Sequence, residues 1–137
     1  MKLVIQRVKK AKVDIAGEIG VGLFVLVGIK KGDTKEQSKA LAEKLVKLRV
    51  MADTGGKMNL PATDFLIVSQ FTLYADTKGG NRPSFIEAAL PVDAKEIYED
   101  FVDELKKKGV KVATGSFGDY MKIDCILDGP VTIVLED

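Results

Sequence analysis

Leu23-Phe24-Val25-Leu26-Val27 is an unbroken run of aliphatic and aromatic side chains, with no polar residue alternating through it. A strand with one wet face alternates, whereas a strand covered on both faces reads like this one. The run therefore belongs inside the protein, and the rest of the chain must supply its cover. Upstream, residues 3–8 and 12–15 read as strands on either side of the basic pair Lys9-Lys10, and Gly17, Gly20 and Gly22 punctuate the approach. Downstream, Gly32-Asp33-Thr34 is a turn that opens a helix. Thr34 and Gln37 have capping-box spacing, the hydroxyl and the amide each satisfying one orphan backbone N–H. Leu41, Leu45 and Leu48 follow at i, i+4 and i+7 opposite Lys39, Glu43 and Lys47, an amphipathic stripe.

Further along, Arg49-Val50-Met51 reads as a short strand and Asp53-Thr54-Gly55-Gly56 as a turn. Phe65 to Tyr74 is a second buried-strand candidate, interrupted by polar Ser69, Gln70 and Thr72, and a loop spans Ala75 to Ser84. Asp93 and Glu96 form a second capping pair, for a helix running to Lys108 with Ile97, Phe101 and Leu105 inward and stopping at Gly109. Val110–Thr114, Tyr120–Leu127 and Val131–Leu135 read as closing strands. Many strands with two helices, in no regular βαβ alternation, favour an α+β fold over a doubly wound one. The 137 residues contain no repeat, linker or low-complexity stretch, so residues 1–137 read as one domain.

Composition narrows the chemistry. Hydrophobic residues make up 46% and charged residues 30%, a folded and soluble balance. Lys and Arg total 21 against 20 Asp and Glu, so a whole-surface basic field is absent and any nucleic-acid contact must be a local patch. The chain has no histidine, which removes Ser-His-Asp and Cys-His nucleophiles, imidazole metal ligands and a histidine general base. A lone Cys125 excludes an intramolecular disulfide and a multi-cysteine zinc site, and a reducing cytoplasm fits. Set among Ile123, Ile126 and Leu127, that thiol reads as inert core. Met1 to Arg7 begins like a strand without the apolar region of a signal peptide, and the longest apolar run, Val21 to Ile29, is too short to span a bilayer. No membrane partner is expected.

Three segments do not read as plain core. Ser69-Gln70-Phe71-Thr72-Leu73 places two hydroxyls and an amide in an apolar strand, either with their polar face in water or facing a ligand at a strand end. Gly79-Gly80-Asn81-Arg82-Pro83-Ser84-Phe85 is either a mobile surface loop or a backbone approach to phosphate. Asp128-Gly129-Pro130-Val131-Thr132 is by itself an ordinary turn, for which a trans bond is the commoner state. The acidic residues Asp93, Glu96, Glu99, Asp100, Asp103 and Glu104 fall mostly on the wet face of a helix and make no convincing catalytic pair.

Together these segments resemble the D-aminoacyl-tRNA deacylase family over nearly the whole chain. The matching pieces stand in family order: Gln6-Arg7-Val8, Gly22-Leu23 with its Val-rich strand, Gly56-Lys57-Met58-Asn59, Ser69-Gln70-Phe71-Thr72-Leu73, Arg82-Pro83-Ser84-Phe85, Thr114-Gly115-x-Phe117 with Met121, and Gly129-Pro130-Val131-Thr132. The resemblance implies mixed, largely antiparallel sheets in a barrel-like layered core with two amphipathic helices. It also implies a homodimeric enzyme that hydrolyses the ester between a D-amino acid and the terminal adenosine of tRNA, and that clears glycine from mischarged tRNA. Ser69 to Thr72 would line the pocket, with Gln70 and Phe71 holding the terminal adenosine and the ester, and Met121 would join the substrate-binding set. Gly129-Pro130 would be cis and would enter the pocket of the other subunit, its carbonyl groups meeting the substrate amino group and leaving no room for an L side chain. Arg7 would help hold that loop. Asp128 stands where many relatives have Asn, and either side chain braces a turn.

With neither histidine nor carboxylate dyad, acid–base catalysis by the protein is poorly supplied. A mechanism in which the 2′-hydroxyl of the tRNA assists water suits this composition, the protein contributing position and backbone N–H groups for the oxyanion. No metal or cofactor is expected. The rival mechanism makes Thr72 a nucleophile, though no base is visible to activate it. The rival function is a module that binds the 3′ end of tRNA without cleaving it. A metal-dependent or serine-type esterase is nearly excluded by the histidine count.

Overall fold

The computed structural model describes residues 1–137. Strand β3 (Gly22–Gly28) is the run quoted above, and it is covered on both faces. It lies between β1 (Lys2–Val13), paired antiparallel, and β6 (Asp64–Ser69), paired parallel. The short β2 (Glu18–Ile19) extends the β1 hairpin, β7 (Lys111–Thr114) adds in parallel beyond β6, and β8 (Ile123–Glu136) pairs antiparallel with the free side of β1. Helices α1 (Lys35–Lys47) and α2 (Pro91–Lys107) pack together on one face, and β4 (Met51–Ala52) and β5 (Met58–Leu60) form a separate small hairpin.

The period-two alternation of β3 divides its side chains between two cores. Leu23, Val25 and Val27 join Leu3, Ile5, Phe65 and Ile67 under Leu41, Leu45, Phe101 and Leu105 of the helices. Phe24 faces the other way and packs with Val8, Ala11, Val13, Leu66 and Val68. That second core is closed by Ile19 of β2, Ala113 of β7 and Ile123 of β8, so the sheet curls over its own rear face. The result is the α+β, barrel-like layered arrangement with two amphipathic helices.

Several local expectations change. β1 is one strand: Lys9 and Lys10 mark a bulge against β8, where Val8 pairs Leu127 and Lys10 pairs Ile126. The expected break arose because two outward lysines look like a turn in sequence. The second buried strand ends at Ser69, and Phe71–Tyr74 is a turn of 3₁₀ helix. Helix α1 begins as its sequence requires, with the Thr34 hydroxyl accepting from Gln37 N and the Gln37 amide oxygen accepting from Thr34 N at 2.7 Å. Helix α2 instead starts at Pro91 with Leu90 as an N-cap that offers no side-chain bond. Proline's fixed φ suits the first helical position and overrides the Asp93–Glu96 spacing.

The last two expected strands are one. Between Gln6↔Thr132 and Val8↔Leu127, five steps of β8 oppose two of β1, so Asp128 to Val131 bulge out of the ladder. Cys125 is exposed, not core. Its strand is an edge, paired only to β1, and Ile126 (50%), Leu127 (46%) and Val134 (57%) stand exposed with it. No helix is long and apolar enough to cross a membrane.

Candidate functional site

A cleft of about 880 Å³ opens where the carboxyl ends of β3 and β6 meet the segments 85–94 and 117–123. Its floor follows from how β6 ends. Gln70 N still donates to Val27 O at 2.8 Å, and the chain then tightens into the 3₁₀ turn. Ser69, Gln70 and Phe71 are thereby turned into the cleft, with Phe71 57% exposed. Phe85, on the far side of the Ala75–Ser84 loop, meets Phe71 edge to face at a centroid distance of 5.1 Å. Such a pair suits an aromatic ligand edge as well as each other.

The back of the cleft is anchored at one carbonyl. Ile67 O accepts from the Tyr98 hydroxyl at 2.9 Å and from Gly115 N at 2.9 Å, tying α2 and β7 to the end of β6. Burial, with a smaller contribution from Glu99, pushes the Tyr98 hydroxyl up to about 12, so it stays a donor. Met121 lines the cleft because position 115 is glycine: a Cβ there would come within 2.9 Å of the Met121 sulfur. That sulfur also accepts from Ser116 N at 3.3 Å.

Lining charges are few: Lys31 on one wall and Asp119 on another. Asp119 is engaged by the Ser116 hydroxyl. The remaining surface is apolar or aromatic, with Ile86, Leu90 and Tyr120 exposed at the mouth. Thr72 does not line the cleft. It is exposed, and its hydroxyl oxygen accepts from the Gln70 side-chain amide. At the start of a 3₁₀ turn the first N–H groups lack intrahelical acceptors, and here these belong to Phe71 and Thr72.

Four expected site residues thus gather in one place, Ser69, Gln70 and Phe71 with Met121, while Arg7, Gly129 and Pro130 lie outside it. The Gly129-Pro130 bond is cis and exposed on the β8 bulge. Gly129 has φ +124°, a conformation that side chains disfavour. Arg7 reaches into this bulge: its Nε donates to Asp128 O at 3.1 Å and pairs with the Asp128 carboxylate at 3.3 Å, while Nη1 donates to Val50 O at 2.9 Å. Thr132 donates to the Gln6 side-chain oxygen at 2.6 Å. No group of three or more carboxylate or thiol side chains is placed to hold a metal ion.

Sequence reasoning missed Ile86, Leu90, Tyr120 and Lys31. The first three come from loops that only the tertiary fold brings over β6. Lys31 had a signal, since Val27, Ile29 and Lys31 follow at i, i+2 and i+4 along one side of an extended segment.

Comparison with known proteins gives the class. The model of the D-Tyr-tRNA(Tyr) deacylase family matches residues 4–136. A D-aminoacyl-tRNA deacylase of Thermosipho africanus is 50% identical, covering 99% of this chain and 97% of the relative. One of Lactobacillus acidophilus is 51% identical over 99% of both. Among solved structures, a protein described as c-Myc DNA Unwinding Element Binding Protein superposes with TM-score 0.92 at 37% identity over 100% of this chain and 99% of that one. A probable eukaryotic D-amino acid tRNA deacylase, at 16% identity with coverage of 98% and 97%, shares the fold with TM-score 0.82. The chain belongs to the D-Tyr-tRNA(Tyr) deacylase family, and is a hydrolase of that family.

Proposed function

We propose that the cleft takes the 3′-terminal aminoacyl-adenosine of a D-aminoacyl-tRNA and hydrolyses its ester. Water attacks the ester carbonyl, the bond to the ribose oxygen breaks, and the free D-amino acid and tRNA leave. The observation that carries this reading is the Ser69-Gln70-Phe71 end of β6, which faces an apolar cleft large enough for an amino acid and a nucleoside. Phe71 and Phe85 offer faces and edges for the adenine, and Gln70 is the polar group placed to orient the ester. The Phe71 N–H, at the start of the 3₁₀ turn and on the cleft wall, supplies oxyanion stabilisation.

Chirality requires a second copy in this reading. Gly129-Pro130 stands exposed and outside its own cleft, braced by Arg7, while the apolar Ile126, Leu127 and Val134 stand exposed on the same strand. A homodimer in which this bulge enters the partner's cleft puts main-chain carbonyls beside the substrate amino group. Rejection of an L side chain is then steric, and glycine, which has no side chain, is accepted. The 2′-hydroxyl of the terminal ribose assists water, because the chain has no histidine and no base beside Thr72. The reaction needs neither cofactor nor metal and takes place in the cytoplasm.

The test is release of D-tyrosine from D-tyrosyl-tRNA by purified protein in the presence of chelator. Turnover there, and a far slower reaction when the tRNA ends in 2′-deoxyadenosine, are expected. Tight binding of charged tRNA without turnover would instead support a non-catalytic 3′-end module.

A further inference from the structure

The cleft is apolar, yet its substrate arrives as a polyanion carrying a charge on every nucleotide. Lys31 is the cation that lines it. Of the charged residues around it, Lys30 and Asp33 are already balanced, and Asp93, which lines the adjoining hollow, has no ion-pair partner. Lys30 pairs with Glu87 at 3.8 Å, and Asp33 accepts from Lys30 N at 2.7 Å and from the terminal ammonium of Met1 at 2.8 Å. No carboxylate lies within ion-pairing distance of the Lys31 ammonium. The residue's backbone is nevertheless fixed, since Lys31 N donates to Glu87 O at 3.0 Å and Ala89 N to Ile29 O at 3.0 Å, fastening the end of β3 to the cleft wall.

A second, smaller hollow of about 190 Å³ adjoins the first and shares Ile29, Lys31, Ala89 and Leu90 with it. Lys31 thus stands on the wall between the two. We infer that Lys31 binds the phosphodiester joining the terminal nucleotide of the substrate strand to the one before it, at the point where the strand leaves the main cleft past this wall. The inference rests on the proposed function, and it adds a residue that positions the strand without touching the reacting ester. Lys78 and Arg82, on the exposed loop, do not line the cleft.

The experiment compares Lys31→Ala and Lys31→Arg with the parent on two substrates, D-tyrosyl-tRNA and 3′-O-D-tyrosyl-adenosine, which lacks the phosphate. On tRNA, Lys31→Ala should raise KM about tenfold with kcat unchanged, the size of one charge-assisted contact. The log–log dependence of kcat/KM on salt should become shallower by about 0.7 to 1. Lys31→Arg should restore both, and the aminoacyl-adenosine should be cleaved equally by all three proteins. An unchanged salt slope, or an equal loss on the phosphate-free substrate, overturns the assignment while leaving the deacylase reading intact. A parent protein that cleaves neither substrate defeats both.

Discussion

Strands β6 and β8 are both rich in apolar residues, and the fold treats them oppositely. In β6, Phe65, Leu66 and Ile67 are wholly buried, because β3 and β7 flank the strand and a core lies on each face. In β8, Ile126, Leu127 and Val134 are about half exposed, because the strand is an edge with one neighbour. Apolar composition therefore marks a strand but not whether its own chain covers it. The two strands also offer different chemistry. β6 ends in side chains that line a cleft, and β8 bulges to present main chain.

The sharpest way to break this comparison is to cut one apolar side chain from each strand. Phe65→Ala should cost about 3–5 kcal/mol in urea denaturation, the usual loss for a buried phenylalanine. Val134→Ala should cost about 0.5 kcal/mol or less at low protein concentration. A Val134→Ala deficit that grows with protein concentration would place this face in an interface between two copies. Equal losses at high dilution would mean that β8 is not an open edge.

Arg7 gives the next largest effect, because it ties the β8 bulge to the body of the protein. Arg7→Ala removes the donors to Asp128 O and Val50 O. The loss of charge-assisted bonds, about 2 kcal/mol, corresponds to about a thirtyfold fall in selectivity for D- over L-tyrosyl-tRNA. Hydrolysis rates on the two enantiomers measure it. Unchanged selectivity would detach the bulge from chiral discrimination.

Legibility in the sequence follows the same division. The buried strand at 23–27, the Thr34–Gln37 cap and the inward Ile97, Phe101 and Leu105 were readable because each depends on nearby residues. The single β1, the 3₁₀ turn at Phe71 and the merged β8 were not, because long-range pairing set them. Cys125 is exposed for a related reason: apolar neighbours in sequence suggest burial, which an edge strand does not provide. At the site, Ser69, Gln70 and Phe71 were visible as polar and aromatic groups at a strand end. The aliphatic and aromatic rim that faces them was hidden in loops distant in sequence.

A smaller effect tests how firmly the end of β6 is held. The Tyr98 hydroxyl bonds Ile67 O, and Tyr98→Phe should cost about 1 kcal/mol near neutral pH. Its folded pKa, about 12, lies above the ordinary 10. Below pH 10 both folded and unfolded states keep the proton, so the contribution is intact. Between pH 10 and 12 the unfolded chain releases a proton that the folded one retains, so stability falls as pH rises. Urea midpoints at pH 8 and 11 should show the Tyr98→Phe deficit shrinking at the higher pH. A constant deficit would mean that the hydroxyl is not held in a buried site.

Thr72 carries the smallest expected change and separates two mechanisms. Its hydroxyl oxygen is occupied as an acceptor from the Gln70 amide, it lies outside the lining of the cleft, and no histidine exists to take its proton. An alcohol without a base is a poor nucleophile near neutral pH. With water as the attacking group and the ribose 2′-hydroxyl assisting, Thr72→Ala should lower kcat by less than about tenfold, since one positioning hydrogen bond is worth about 1 kcal/mol. A nucleophile cannot be dispensed with in this way: removing it should abolish turnover, and the parent should show a burst of one equivalent of tRNA as a threonyl ester accumulates. Pre-steady-state assays of the parent and Thr72→Ala with D-tyrosyl-tRNA in excess decide between the two, and total loss together with such a burst would assign the bond-breaking step to the 3₁₀ turn that follows β6.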